Sequence, residues 1–412
     1  MGSRYYETPS IDKLAAQGVL FNSAYANAPN CAPTRASLLS GQYTPRHGVY
    51  TVGSSERGPA RLRKLIPTPN KTELDPNVVT IAEALKTAGY TCACIGKWQL
   101  GDKEPFRPQD QGFDVAFDRT QGGHFTADGE YLTDRLTDEA IKFIEANKAQ
   151  PFFLYLAHHA VHTPIQAKDE LIEKYKKKQP TAEHNNPTYA AMIESVDQSV
   201  GRIMAKLDEL ALTENTVVFF FSDNGGYANA TSNSPLRGSK GMLYEGGIRV
   251  PMIVRWPGQA QPASLCDVPV IGIDFYPTML EMAGTPKPAE HILDGVSIVP
   301  LLRAKGSFKR ESVFWHFPAY LEPYNEQQRP WRITPAGAVR QGDWKLIEFF
   351  EPALPGKLEL YNLRHDLSEK NDLAEMLPDK AKELHQILLN WRKSIHAPVP
   401  TEKNPLYDPN SP

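Results

Sequence analysis

The sequence predicts an α/β fold: a large, mostly parallel central sheet flanked by helices, followed by a small C-terminal antiparallel sheet with a helix. Three observations carry that expectation. Continuous apolar runs such as "PFFLYLA" and "TVVFFF" alternate with amphipathic helical stretches, the pattern of parallel strands buried on both faces. After Leu302 the character changes, and "SVFWHF", "GAVRQGDWKLIEFF" and "KLELYNL" read as antiparallel strands with a hairpin turn at Gly342-Asp343. A length of 412 residues accommodates one large core plus a smaller unit. The expected division is a domain over 1–302 and a smaller α+β unit over 303–412.

Taken in order, "IDKLAAQG" from Ile11 to Gly18 has the apolar spacing and closing glycine of a short helix, and "VLFNSAY" reads as the strand after it. Pro33 suits the first position of a short helix over 33–40 that Gly41 ends. The stretch from Gly48 to Pro76 is polar and rich in proline and glycine, an irregular excursion. "VVTIAEALKTAG" predicts a helix ending at Gly89, and "YTCACIG" a strand whose Cys92 and Cys94 point to one face as core residues. A helix over "LTDRLTDEAIKFIEAN" leads to the strand "PFFLYLA". Ile193, Val196, Val200, Ile203, Leu207 and Leu210 then recur every three or four residues, marking a long amphipathic helix. "TVVFFF" and "VPMIVRW" are further strands, and a closing helix runs from Asp379 to Ile395.

A net charge of −3 gives no reason to expect nucleic acid. The four cysteines do not form a disulfide framework. No apolar run is long enough to span a bilayer, and no signal peptide opens the chain. The basic stretch "RGPARLRK" over 57–64 reads either as a solvated loop or as a rim for an anionic polymer.

Ligands of open parallel sheets bind beyond the carboxyl ends of the strands. Four successive apolar runs here lead to Cys31, to Lys97, to His158, His159 and His162, and to Asp223 with Asn224. Cys31 stands at the mouth of a helix, where unpaired N–H groups favour anions, and Arg35 follows one turn later. That cysteine–arginine spacing is too short for a thiolate phosphatase loop. In "SDNGG" a carboxylate and an amide oxygen suit a hard cation such as calcium or magnesium, and an Asx turn also accounts for the pattern. Lys97 in "IGKWQLG" and Lys240 in "LRGSKGMLYEGG" sit among glycines that let backbone approach a ligand. Cationic side chains, a metal and an acid for the leaving group are what a multiply charged oxyanion requires.

In order and over nearly the whole chain, "CAPTRASLLSG", "GKWQLG", "AVHTP", "SDNGG", "PLRGSKGMLYEGGIRVPMIVRWPG", "IDFYPTMLEMAG" and "LDGVSIVPLL" resemble the motifs of formylglycine-dependent (type I) sulfatases. These enzymes belong to the alkaline phosphatase-like superfamily. The resemblance implies that fold, and a sulfuric ester hydrolase whose Cys31 is oxidised to formylglycine by a formylglycine-generating enzyme. It implies that Arg35 stabilises the hydrated aldehyde and the sulfate, that Lys97 and Lys240 hold sulfate oxygens, and that His162 protonates the leaving oxygen. Asp223 and Asn224 would bind calcium. His47, His124 and His316, with Gln99, are candidates for lining the substrate site. A sulfated carbohydrate is the substrate implied. The alternatives are a phosphodiester or phosphonate monoester hydrolase of the same superfamily, and a non-catalytic remnant that binds sulfated glycans. Relatives are usually exported, so a periplasmic or secreted location is implied.

Two positions depart from the family pattern. Its cation site takes two further aspartates from a first strand ahead of the signature, but only Asp12 precedes Cys31, in a predicted helix. Without that strand its neighbours are expected to keep an uncovered edge or gap. Gln99 stands where the family usually has histidine; glutamine cannot take up a proton near neutral pH, which predicts slow turnover.

Overall fold

The computed structural model describes residues 2–118, 122–323, 331–351 and 357–410. Helix α1 (Pro9–Ala16) leads to β1 (Val19–Phe21) and β2 (Ala24–Tyr25). A turn at Asn22-Ser23 divides what the sequence predicts as one strand. Next come α2 (Cys31–Ser40) and α3 (Thr44–His47), a largely irregular stretch, then α4 (Ile81–Lys86), β3 (Thr91–Gly96) and β4 (Val115–Phe117). They are followed by α5 (Leu132–Ala146), β5 (Phe152–Ala157), α6 (Asp169–Lys176), α7 (Pro187–Glu209) and β6 (Val218–Phe221). The first part closes with α8 (Glu245–Ile248), β7 (Met252–Arg255), β8 (Ser264–Cys266), β9 (Val270–Ile271), α9 (Phe275–Ala283) and α10 (Val299–Leu302). The C-terminal part holds β10 (Ser312–Phe317), β11 (Ala336–Gln341), β12 (Trp344–Phe349), β13 (Lys357–Asn362) and α11 (Pro378–Ser394).

Two helix starts differ from expectation for local reasons. α4 begins at Ile81, not Val78, because Thr80 and Glu83 form a reciprocal capping box, Glu83 N–H donating to the Thr80 hydroxyl at 3.2 Å. α2 begins at Cys31, two residues earlier than predicted, so Pro33 is its third residue. Its missing N–H costs nothing there, because the first four N–H groups of a helix lack intrahelical partners anyway. Gly41 ends α2 in the left-handed conformation at φ 67°, as its position implied.

The central layer is an α/β arrangement with helices on both faces. β3 pairs in parallel with β4 and β5. A second group runs β6-β7-β1-β8, where β7 is antiparallel to both neighbours and β1 is parallel to β8. Side chains alternate as strand geometry requires. Cys92 and Cys94 of β3 enter a core cluster with Leu39 of α2, Leu85 of α4 and Leu280 of α9, while Ala93 and Ile95 meet Leu136 and Ala140 of α5. Further along the layer, Ile253 meets Ile11 and Leu14 of α1.

One irregularity bears on the site. β7 is buried throughout, and β3 is buried from Cys92 to Gly96. β5 and β6 are as apolar, yet Phe152–Leu156 and all four residues of β6 are only half-buried. Among the described residues, the free edge of each carries no partner strand.

Beyond α10, β10 to β13 form a consecutive antiparallel sheet, and Gly342 turns its central hairpin at φ 57°. α11 covers one face through Leu384 and Leu388 against Val339, Leu346 and Leu360. The other face, with Trp315, Phe317 and Ile347, packs on Tyr25, Leu243 and Ile248. Between the two parts Lys345, fully buried, donates to Glu245 and Glu369 at 2.9 Å each. The basic 57–64 stretch is committed to internal pairs: Arg57 with Glu322, Arg63 with Glu56, and Lys64 with Glu351.

Candidate active site

Beyond the strand ends, four segments bring polar groups to one place. α2 supplies Cys31 and Arg35, the loop after β3 supplies Lys97, the loop after β6 supplies Asp223 and Asn224, and the loop before α8 supplies Lys240. The Sγ of Cys31, 2% exposed, donates to Oδ1 of Asn224 at 3.3 Å and accepts from Nζ of Lys240 at 3.2 Å. One turn along α2, Arg35 donates through Nε and Nη2 to Oδ2 of Asp223 at 3.0 and 2.7 Å. Its Nη1 donates to the Lys97 carbonyl at 2.6 Å and to the Tyr155 hydroxyl at 3.3 Å. One guanidinium therefore ties the ends of β3, β5 and β6 together through charge-assisted bonds.

Close backbone packing holds two of these loops in register. A Cβ on Gly225 would stand 1.8 Å from the carbonyl oxygen of Gly246, and one on Gly247 would stand 2.0 Å from that of Met242. The N–H of Lys240 donates to the Gly226 carbonyl at 3.0 Å, and that of Gly241 to the Pro29 carbonyl at 2.7 Å. Lys240 is thus suspended between the entry to α2 and the Asp223–Asn224 loop.

The electrostatics favour an anion. Burial opposes ionisation of Asp223, but Arg35, Lys97 and Lys240 overcome it and hold the carboxyl pKa down at about 2. Burial pushes the Lys97 ammonium below its ordinary pKa, with Arg35 and Lys240 acting in the same direction against Cys31 and Asp223. Three cationic side chains face one carboxylate.

His162 is solvent-exposed at the rim, yet its ring sits low enough among protein atoms for desolvation to be felt. That desolvation, reinforced by Lys240 and Lys97, pushes its pKa down to about 4. Its Nδ1–H donates to the Thr163 carbonyl at 2.8 Å, so Nε2 carries the lone pair of the neutral ring. His124 is buried and donates from Nε2 to the His162 carbonyl at 2.7 Å, a support for that loop.

Other sequence-derived candidates lie apart. His47 is buried, with Nε2 bonded to the Ser37 hydroxyl at 3.0 Å and Nδ1 accepting from Val49 N–H at 3.1 Å. Burial pushes its pKa to about 3, the state of a neutral core histidine. His316, in β10, donates to the Pro398 carbonyl at 2.8 Å and packs between Tyr50 and Phe350. Neither ring makes a hydrogen bond to the Cys31 cluster. Gln99 adopts φ 61° and lines a cavity of about 850 Å³ with Glu73, Trp98, Asp102, Arg107 and Asp118; its Oε1 is buried without a partner. Tyr155 is a site residue that sequence reasoning missed. Its signal is a hydroxyl-bearing ring within an otherwise apolar strand.

The donor set does not fit calcium. Asp223 and Asn224 offer their side-chain oxygens, but Oδ2 of Asp223 accepts from Arg35 and Oδ1 of Asn224 from Cys31. Among the described residues no group of three His, Cys, Asp or Glu side chains is placed to hold a metal ion. Calcium takes about six to eight oxygens.

The sequence pattern of the sulfatase family matches residues 1–285, and the pattern described as N-sulphoglucosamine sulphohydrolase, C-terminal, matches residues 239–394. A sulfatase of Formosa agariphila is 34% identical over 478 residues, covering 97% of this chain and 85% of its own length. The N-acetylgalactosamine-6-sulfatase of Mus musculus is 32% identical over 75% of this chain, which spans only 64% of that protein's length. Among solved structures, Ps i-CgsB in complex with k-i-k-neocarrahexaose matches with a TM-score of 0.79 and 28% identity, covering 95% of this chain and 88% of its own.

Proposed function

The chain belongs to the sulfatase family of sulfuric ester hydrolases, and from that premise we propose that it cleaves a sulfate ester of a sulfated carbohydrate, with Cys31 converted to formylglycine. The observation that carries this reading is the placement of the Cys31 sulfur between Lys240 and Asn224 at the mouth of α2, with Arg35 behind it. When hydrated, the aldehyde supplies a hydroxyl nucleophile at position 31. The chain's own residues account for the rest. Lys97, Lys240 and the free N–H groups of α2 bind sulfate oxygens and counter the charge that develops on them. The Arg35–Asp223 pair fixes the first turn of α2 against the strand ends. His162 gives a proton from Nε2 to the departing sugar oxygen. In the free site desolvation, reinforced by Lys240 and Lys97, holds that ring's pKa down at about 4; an anionic ester placed between the lysines offsets their share of the shift and raises the ring's pKa. Substrate binding thereby recruits the acid.

The neocarrahexaose bound by Ps i-CgsB and the name of the mouse relative favour a sugar. No step here passes through calcium, because Asp223 and Asn224 alone do not hold it. Maturation by a formylglycine-generating enzyme and export accord with the family, and no helix of the described residues is long and apolar enough to cross a membrane.

The test is the mass of the tryptic peptide ending at Arg35, from protein produced with the generating enzyme. An aldehyde at position 31 is expected, together with preference for an aryl sulfate over an aryl phosphodiester. Cys31→Ala is expected to reduce turnover at least ~1000-fold, the scale on which nucleophiles act. Full activity with an intact thiol, or faster turnover of the phosphodiester, overturns the reading.

A further inference from the structure

Lys240 reaches Cys31 from a loop with little regular structure of its own. No helix or strand intervenes between β6 and α8, and Gly238 and Gly241 stand on either side of Lys240 at φ 77° and 90°. Two ties run from the flanks of Lys240 to the C-terminal sheet. Downstream, Glu245 accepts from Lys345 of β12 at 2.9 Å, and its N–H donates to Oε2 of Glu369 at 2.7 Å. Upstream, Arg237 donates through Nη1 to the Tyr361 hydroxyl of β13 at 2.9 Å and to the Glu369 carbonyl at 2.8 Å. Its guanidinium lies 3.8 Å from the centre of the Tyr244 ring, and Tyr244 donates to Glu359 of β13 at 2.8 Å. The flanks also meet each other, since Gly246 N–H donates to the Arg237 carbonyl at 2.7 Å. The loop is an arch whose two feet both rest on Glu369.

The two ties differ in kind. Lys345 neutralises buried carboxylates. The carboxylates near Arg237 already have cations, Glu359 from Lys357 at 2.9 Å and Glu369 from Lys345. Arg237 instead engages a hydroxyl, a main-chain carbonyl and a ring face. A planar guanidinium so placed fixes direction and distance, as a flexible ammonium would not. We infer that Arg237 is a positioning residue of the sulfatase reaction: tied to Tyr361 and Glu369, it holds the arch so that Nζ of Lys240 stays beside position 31, where it stands 3.2 Å from the sulfur. A displacement of about 1 Å in such a group can cost up to ~100-fold in rate. This role depends on the sulfate-binding part proposed above for Lys240. Arg237 is itself exposed, so trimming it strands no buried charge.

The test is a double-mutant cycle on the matured enzyme with an aryl sulfate, using Arg237→Met, Lys240→Ala and the pair. Arg237→Met is expected to lower kcat/KM about tenfold, and Arg237→Lys to recover part of the loss. Because Arg237 acts through Lys240, adding Arg237→Met to Lys240→Ala is expected to change kcat/KM by less than about twofold. Tyr361→Phe, which removes one of the Arg237 bonds and keeps the ring, is expected to lose about two- to threefold by the same cycle. In the unconverted chain, Arg237→Met is expected to speed amide hydrogen exchange over 238–243 about tenfold while β3, β7 and β10 to β13 stay unchanged. Full activity of Arg237→Met overturns the positioning role, as does exchange that quickens throughout the chain, the mark of a general loss of stability. Losses that multiply in the double variant overturn the positioning role and leave the reading of the site intact. Lys240→Ala at wild-type kcat/KM removes the part proposed for Lys240 and the positioning role with it, so the two failures are told apart.

Discussion

β10 to β13 and the pair β5 and β6 are made of similar residues and meet different fates. In the C-terminal sheet each strand is matched residue for residue with its neighbour over six positions, and α11 caps the outer face. β5 and β6 bring nine apolar side chains and Tyr155 to the central layer, and all but Ala157 stay half-buried; among the described residues the free edge of each carries no partner strand. The same contrast appears in their charges. Lys345 is enclosed by two carboxylates, whereas Asp223 is outnumbered by Arg35, Lys97 and Lys240. Composition decides where a strand forms, but neighbours decide whether it is buried. The fully paired sheet contributes none of the hydrogen-bonding groups of the Cys31 cluster, whereas the ends of the half-buried strands bring Tyr155 and Asp223 to it.

The contrast can be broken most severely at Lys345. Lys345→Met leaves Glu245 and Glu369 buried without their counter-ion, and a loss of about 3–5 kcal/mol is expected in denaturant unfolding. Asp223→Asn is expected to cost less, about 1–3 kcal/mol at pH 7, because the site is more open and Arg35 keeps the Lys97 carbonyl. The pH dependence has a definite sign. Asp223 has a folded pKa of about 2, below its ordinary value near 3.9, so its stabilisation is fully present above pH ~4. It fades as pH falls through 2, and stability curves of the wild type and Asp223→Asn should converge there.

Gln99→His probes turnover at the open end. A backbone at φ 61° tolerates histidine, and a ring that accepts a proton should raise kcat about tenfold, equivalent to ~1.4 kcal/mol, in steady-state assays of the matured enzyme. No gain would count against a role for position 99 in proton transfer. Tyr155→Phe is the mildest change. It removes a 3.3 Å bond to Arg35 and should cost about 0.5–1 kcal/mol by thermal unfolding, leaving amide exchange in β10 to β13 unaltered.

Much of this is legible in the amino-acid sequence. "SVFWHF" coincides with β10, and the alternation in "YTCACIG" placed Cys92 and Cys94 on one buried face. Clustering at strand ends pointed to Cys31, Lys97, Asp223 and Asn224 as neighbours, and Arg35 and Lys240 bond to members of that set. What failed depended on partners distant in sequence. Histidines beside candidate motifs look alike in a string of letters, but His47 satisfies Ser37 and Val49 while His124 supports His162. The antiparallel course of β7 is set by its neighbours, not by its own apolar run. The start of α2 at Cys31 was hidden by Pro33, which is tolerated anywhere in the first turn.

The packing of Gly225 against Gly246, and of Gly247 against Met242, leaves no room for even one methyl group. Anyone diversifying this protein toward new substrates would therefore find that junction intolerant, since a side chain there would pry the Asn224 loop away from Lys240. Variation is better invested around the cavity that Gln99 borders, where side chains already differ in size and charge and the backbone of the reactive centre need not move.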